Sequence, residues 1–329
     1  MQVTDPRQEL RLASVDDVLG DRHARFFGEG FKRVTYSLTD IAVTAGTPST
    51  PGEVHATAGI HLPDTWSLKG EAVQRPHLST IDGMLLAARL TGLYAAHTHR
   101  LAADAPFHVR GIRIKAGSTP DEMGLDRFGV TARHRSTTVS PDHAGRSVTT
   151  MDCTIGSMTL RVEAEHPAAE DPDRTPGSYA TAEDLGGSWN STAFGVSHHN
   201  RSQFLEDVVA DVSAGTAHAR LTLVDAPGPD TAKEHGATAI DLFVCALQLG
   251  QVLLYELDGL TRAKSNTLWM RTTGFAPRTE AEAEPDGRFR VTLDRTALLP
   301  TAEGTWRTGR ITAALGDTQL TCNVVHLLP

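Results

Sequence analysis

The sequence predicts an α+β protein of two duplicated halves, each an antiparallel sheet wrapped around one long helix. Three observations carry that reading. The phrase Ser79-Thr80-Ile81-Asp82, followed by Ala87 and Leu90, returns as Thr238-Ala239-Ile240-Asp241, followed by Ala246 and Leu249. A repeat about half a chain apart is too widely spaced for a solenoid and suits a duplicated domain. Around each copy the elements run strands, one long helix, then three strands, without the strand–helix alternation of a doubly wound parallel sheet.

The elements follow in order. The opening, through Phe26-Phe27-Gly28-Glu29-Gly30-Phe31, reads as an aromatic-rich arm. Arg33 to Val43 and Glu53 to Leu62 alternate roughly and carry β-branched residues, so they read as strands around a Pro/Gly-rich turn. Ser79 to His97 has apolar residues at three- and four-residue spacing and reads as a helix. Phe107 to Lys115, Gly129 to Val139 and Ser147 to Glu165 are strand-like. In the second half, Ala193 to His198 and Asp207 to Ser213 read as a strand with an irregular middle, and Ala217 to Val224 as another. Thr238 to Leu257 is a strongly apolar helix. Leu268 to Phe275, Phe289 to Leu293 and a hairpin from Trp306 to Leu328, turning at Leu315-Gly316-Asp317, complete the set. The stretch rich in proline, aspartate and alanine between the halves divides the chain into residues 1–166, a repeat with its N-terminal arm, a linker at 167–177, and a second repeat at 178–329. One long helix wrapped by an antiparallel sheet is the hotdog arrangement, and two copies make a double hotdog.

Composition narrows the function. The 329 residues are 40% hydrophobic and 22% charged, as in a folded globular protein. A net charge of -9 argues against a nucleic-acid partner, which needs a basic face. Cys153, Cys245 and Cys322 are widely spaced and odd in number, so a reducing compartment is expected and a disulfide framework is not. With no apolar leader at the N-terminus and no unbroken apolar run of membrane-spanning length, the expected location is cytoplasmic, away from any membrane. No H-x-x-x-H helix or Cys/His cluster points to a metal, and no G-x-S-x-G elbow points to a common hydrolase.

The repeated helix starts are the first place to look for chemistry. Ser79 with Asp82, and Thr238 with Asp241, form the pattern of a capping box, which satisfies orphan N–H groups of the first turn. Capping accounts for the spacing by itself. Each aspartate also heads a helix stripe that is apolar apart from one polar residue two turns on, Arg89 or Gln248. A carboxylate on a buried stripe has its pKa displaced toward the range useful for acid–base work. The helix N-terminus beside it supplies N–H donors for a developing oxyanion. Asp241 is the favoured catalytic residue, with Asp82 second and with Arg89 and Gln248 as substrate contacts. His198 and His199, where the strand pattern breaks, are candidate bases, with Asn200 to orient them and Trp189 to line a pocket. A polar surface turn explains the same histidines.

Ser14-Val15-Asp16-Asp17-Val18-Leu19-Gly20, then Arg25-Phe26-Phe27-Gly28-Glu29-Gly30-Phe31-Lys32-Arg33-Val34, resembles the start of the avirulence protein D (AvrD) family. That resemblance implies synthesis of syringolide-type elicitors, lipids built from a β-ketoacyl chain and a pentulose. The duplication resembles the A-factor synthase (AfsA) family, double-hotdog proteins that join a β-ketoacyl thioester to a small hydroxyketone. There an acidic residue on each helix is implicated, which falls here on Asp82 and Asp241, with aspartate where that group carries glutamate.

The expected function is therefore a condensing enzyme or acyltransferase. It would join a β-ketoacyl thioester, on CoA or acyl carrier protein, to a small polyol or ketose acceptor, without a cofactor of its own. A homodimer is compatible with this reading. A hotdog dehydratase pairing His198 or His199 with Asp82, a thioesterase, and a non-catalytic acyl-binding protein are the alternatives.

Overall fold

The computed structural model describes residues 9–47, 50–63, 66–185, 198–226, 236–278 and 287–329. In chain order the first half contains β1 (Leu10–Ser14), α1 (Asp16–Leu19), β2 (Thr35–Thr44), β3 (Glu53–His61), β4 (Leu68–Lys69), β5 (Ala72–Val73) and α2 (Thr80–His99). Then come β6 (His108–Lys115), β7 (Phe128–Val139), β8 (Arg146–Ile155), β9 (Met158–Pro167) and β10 (Gly177–Thr181). The second half contains β11 (Arg201–Asp211), β12 (Thr216–Asp225), α3 (Ala239–Asp258), β13 (Trp269–Pro277), β14 (Phe289–Thr301), β15 (Gly304–Leu315) and β16 (Thr318–Leu327).

These elements sort into two units, each assembled from separated segments. The Asp82 unit comprises Val34–Leu62 and Pro76–Val196; the Asp241 unit comprises Met1–Arg33, Pro63–Arg75 and Ser197–Pro329. Among the described residues the Asp82 unit has strand order β6-β9-β8-β7-β3-β2-β10, antiparallel throughout. The Asp241 unit has order β13-β16-β15-β14-β12-β11-β1, also antiparallel throughout. In each, one 20-residue helix packs on the sheet, α2 on β9, β8 and β3, and α3 on β14, β15 and β11. Each unit is thus a hotdog, and the chain is a double hotdog of α+β class.

Both helices are buried nearly all round, not along one stripe. In α2 only Arg89 and His99 escape burial, and in α3 every residue from Ile240 to Gly250 is buried. A helix wrapped by a curved sheet needs apolar or small residues on most of its faces. By length and composition α3 is apolar enough to cross a membrane, but most of its surface is buried inside the protein. Opposite the helices, strands alternate inward and outward residues, as in β8, where Ser147, Thr149, Met151, Cys153 and Ile155 line the covered side.

The boundaries differ from the sequence expectation in an informative way. The arm carries a strand: β1 pairs with β11, so the arm's described residues up to Arg33 belong to the Asp241 unit. Conversely, β10 follows the expected linker and pairs with β2 in the Asp82 unit. Division of the chain at 167–177 is therefore replaced by an exchange of first strands. Backbone pairing overrides sequence proximity here, since a five-residue strand has stable partners only within a sheet. Ser147 to Glu165 resolves into the hairpin β8–β9, turning at Gly156, whose φ is +55°. The expected strand at Ala193 to His198 lies outside the described residues except for His198, which sits in a turn; β11 begins at Arg201.

The irregularity expected between the two parts of that strand is the turn at 198–200, with strand from Arg201 on; β11 itself carries a β-bulge between Glu206 and Val209, with Asp207 at φ +50°. A matching bulge lies in β2 between Thr39 and Ala42, with Asp40 at φ +52°. Aspartate tolerates the left-handed region better than most residues because its short polar side chain bonds locally. The bulges align Leu38-Thr39-Asp40-Ile41 with Leu205-Glu206-Asp207-Val208, a second copy of the duplication. The swapped strands align too, since Ser14 pairs with Glu206 and Thr181 pairs with Thr39.

Candidate active site

The two capping boxes form as their sequences predict. Ser79 caps α2 and Thr238 caps α3, and in each the cap oxygen accepts the N–H of the aspartate three residues on. In return, the Ser79 N–H donates to Asp82 Oδ2 at 2.6 Å, and the Thr238 N–H to Asp241 Oδ2 at 2.8 Å. Both carboxylates are buried, each 1% exposed.

The neighbouring strand completes each site from an equivalent position. With the bulges aligned, Tyr36 of β2 corresponds to Gln203 of β11. The Tyr36 hydroxyl donates to Asp82 Oδ1 at 2.8 Å, and Gln203 Nε2 donates to Asp241 Oδ1 at 2.8 Å. Two positions earlier the strands diverge. Arg201 stands where β2 is preceded by Val34, and its Nη1 donates to Asp241 Oδ2 at 3.1 Å. The rest of that guanidinium grips Asp225 through Nε at 2.6 Å and Nη2 at 3.0 Å, and Nη1 also reaches the Gly236 carbonyl at 2.7 Å. Val34 offers no charge and is fully buried.

That one difference separates the two acids. Asp241 is ion-paired with a buried arginine and receives an additional hydrogen bond from Thr238 Oγ1 at 2.9 Å. Among the described residues Asp82 has no cation among its hydrogen-bond partners. Burial lifts its pKa to about 6, against the hydrogen bonds from Ser79 and Tyr36 that favour the ionised form. Burial and the adjacent Asp82 charge also hold the Tyr36 hydroxyl well above its ordinary value, while the Arg89 charge opposes them. The Arg89 guanidinium lies 5.5 Å from the centroid of the Tyr36 ring. The Asp82 unit thus holds a carboxylate that titrates near neutrality, a phenol bonded to it and a half-buried arginine over the phenol. Helix geometry leaves the Thr80 and Ile81 N–H groups without intrahelical acceptors beside them.

The other expected residues fall as follows. Gln248 is buried in α3 and donates to its own Val244 carbonyl at 3.3 Å. His198, His199 and Asn200 form the turn before β11 in the Asp241 unit, with the two imidazole centroids 3.9 Å apart. His199 Nδ1 bonds the Lys32 carbonyl at 2.6 Å, and the hydrogen bonds of the two aspartates described above run to other residues. Trp189 lies outside the described residues. Among the described residues no group of three or more His, Cys, Asp or Glu side chains has a geometry suited to a metal ion. Tyr36, Arg201 and Gln203 escaped the sequence reasoning. The signal that finds them is the repeated bulge aspartate, Asp40 and Asp207, each two residues after a leucine, which sets β2 and β11 in register.

Comparison with known proteins gives a family. The model of the family described as Pseudomonas avirulence D protein (AvrD) matches residues 10–329. No curated protein matches at the level of sequence. Similar solved structures include a 12:0-ACP thioesterase from Umbellularia californica, at 10% identity and TM-score 0.38 over 83% of this chain and 94% of that one. A tesB protein of Mycobacterium avium subs paratuberculosis has 10% identity and TM-score 0.34 over 84% and 92%. A dehydratase from work on the borrelidin and fluvirucin polyketide synthases has 11% identity and TM-score 0.32 over 88% and 95%.

Proposed function

Since the chain belongs to the Pseudomonas avirulence D protein (AvrD) family, we propose that it is an enzyme of acyl thioesters. It joins a β-ketoacyl group, delivered on CoA or acyl carrier protein, to a hydroxyl of a small ketose or polyol. The observation that carries this reading is Asp82: buried, without a cation, and with its pKa lifted to about 6. A carboxylate held in that state gains catalytic use at the expense of stability, and such groups concentrate at functional sites.

The hydrogen bond from Tyr36 to Asp82 gives the carboxylate its route to a substrate. The acceptor hydroxyl gives its proton to the Tyr36 oxygen as Tyr36 passes its own to Asp82 Oδ1. The alkoxide oxygen bonds to the thioester carbonyl carbon, and the carbonyl π electrons move onto oxygen. Arg89 and the first-turn N–H groups of α2 stabilise that charge. When the carbonyl re-forms, the carbon–sulfur bond breaks and the thiolate leaves with the proton returned from Asp82 through Tyr36. General base catalysis of this kind contributes about 100-fold to 10,000-fold. The Asp241 unit, with its acid committed to Arg201, serves in binding.

The test is mass spectrometry of products from the purified protein supplied with a β-ketoacyl thioester and a panel of ketoses. Asp82→Asn is expected to lower ester formation at least about 100-fold while the protein stays folded. Thioester cleavage at an equal rate without any acceptor supports the thioesterase reading instead. Product formation undiminished in Asp82→Asn removes Asp82 from the chemistry.

A further inference from the structure

A second cluster of charge lies in the Asp241 unit and takes no part in the reaction proposed above. Arg25 is 4% exposed. Its Nη2 bonds Asp16, but Nε and Nη1 are buried without a hydrogen-bond partner among the described residues. Buried guanidinium donors left unmade are costly and call for a reason.

Two further cations accompany it, and neither is paired with a carboxylate among the described residues. Arg262 donates Nη1 to the Leu68 carbonyl and Nη2 to Ser67 Oγ at 3.3 Å. Lys69 Nζ donates to the Ser265 carbonyl at 3.2 Å, to Ser265 Oγ at 3.4 Å and to the Asn266 carbonyl at 2.6 Å. All of these acceptors are neutral. The segments are packed together: the Phe26 and Trp66 ring centroids are 4.7 Å apart. A Cβ on Gly30 would lie 2.5 Å from the Trp66 carbonyl oxygen and 3.2 Å from that of Arg25. The charges act on one another. Burial and then the Arg262 charge lower Lys69 to about 8; burial lowers Arg25 to about 10, the Asp16 charge opposing it and the Arg262 and Arg22 charges adding to it. Mutual repulsion of buried cations, in a chain of net charge -9, is relieved by an anion held among them.

We propose that Arg25, Lys69 and Arg262 form an anion site built for a phosphate group on a small-molecule ligand. The unmade Arg25 donors supply hydrogen bonds, and Arg262 and Lys69, whose bonds go to neutral acceptors, supply charge; together they suit the several oxygens and multiple charge of a phosphate better than a single carboxylate. Such a phosphate is carried either by the phosphopantetheine arm of a thioester carrier or by a phosphorylated sugar acceptor. Only this choice of molecules rests on the proposed function; the anion chemistry does not.

The experiment is calorimetric titration of the full chain at constant ionic strength with two matched pairs, 4′-phosphopantetheine against pantetheine and ribulose 5-phosphate against ribulose. In at least one pair the phosphorylated member is expected to bind at least 10-fold more tightly. A preference in the first pair assigns the phosphate to the carrier, and in the second to the acceptor. Lys69→Met and Arg262→Gln, both at half-buried positions, should each cut that preference several-fold while leaving the unphosphorylated member unchanged. If one of these variants does not fold, the other decides. Asp82→Asn, inactive under the proposed function, should keep the preference, so failure of catalysis and failure of this site are told apart. Equal binding within both pairs, or full preference retained in the folded variants, overturns the proposal.

Discussion

Asp82 and Asp241 occupy the same place on duplicated helices, yet one arginine gives them different chemistry. Because Asp82 titrates at about 6 in the folded protein, kcat/KM should rise with pH through about 6, and Tyr36→Phe, which removes the relay hydroxyl and a donor to the ionised form, should lose activity while moving the Asp82 titration upward, as read by carboxylate spectroscopy of the folded variant. The stability of the protein carries the matching signature. The folded-state pKa lies above the ordinary carboxylate value of 3.8. Between about pH 4 and 6 the folded state binds more protons than the unfolded state, so stability contributed by Asp82 falls as pH rises through that window. Asp82→Asn should flatten this slope in denaturant titrations. Asp241→Asn breaks a buried pair with Arg201, which is 4% exposed, and should cost about 3 kcal/mol of unfolding free energy at neutral pH. An Asp241→Asn variant of unchanged stability would show that the pair is not what holds that helix start.

At the scale of elements, the bulges in β2 and β11 matter because they aim Tyr36 and Gln203 at the helix starts. Each bulge has an aspartate in the left-handed region, Asp40 at φ +52° and Asp207 at φ +50°. A β-branched residue is strained there, whereas glycine is not. Asp40→Val should therefore lose about 1–2 kcal/mol relative to Asp40→Gly, measured by chemical denaturation. Equal stability of the two would mean that the bulge relaxes when its aspartate is removed. Much of this level was legible in the sequence. Both helices, their caps and the hairpin turning at Gly316 follow from cap chemistry, apolar spacing and turn residues. What was not legible has identifiable causes. The stretch from Ser147 to Glu165 hid a turn because Gly156-Ser157 interrupts it so briefly. The helix stripes misled because a wrapped helix is apolar on every face, so periodicity carries little information about which side is buried.

For the whole molecule, duplication explains both what the sequence shows and what it conceals. The repeated phrase at the two helix starts is visible in a single reading. The exchange of β1 and β10 between the units is not, because strand pairing is nonlocal and nothing in Leu10 to Ser14 specifies β11 over β2. The candidate site was half legible. Asp82, Asp241 and Arg89 follow from helix spacing, but the contrast between Arg89 and Gln248 that favours Asp241 carries no sign of Arg201, which reaches Asp241 from the neighbouring strand. A duplicated chain can keep one buried acid without a cation and pair the other with an arginine, as Asp82 and Asp241 are arranged here, and the proposed function assigns the chemistry to the first.

The most direct measurement compares single variants of the two acids in one assay, following ester product from a β-ketoacyl thioester and a ketose by mass spectrometry across pH. Asp82→Asn should lower the product at least about 100-fold at every pH, while Asp241→Asn, once shown to be folded, should retain it with the acid limb still near 6. Loss of product confined to Asp241→Asn would contradict the assignment of chemistry to Asp82.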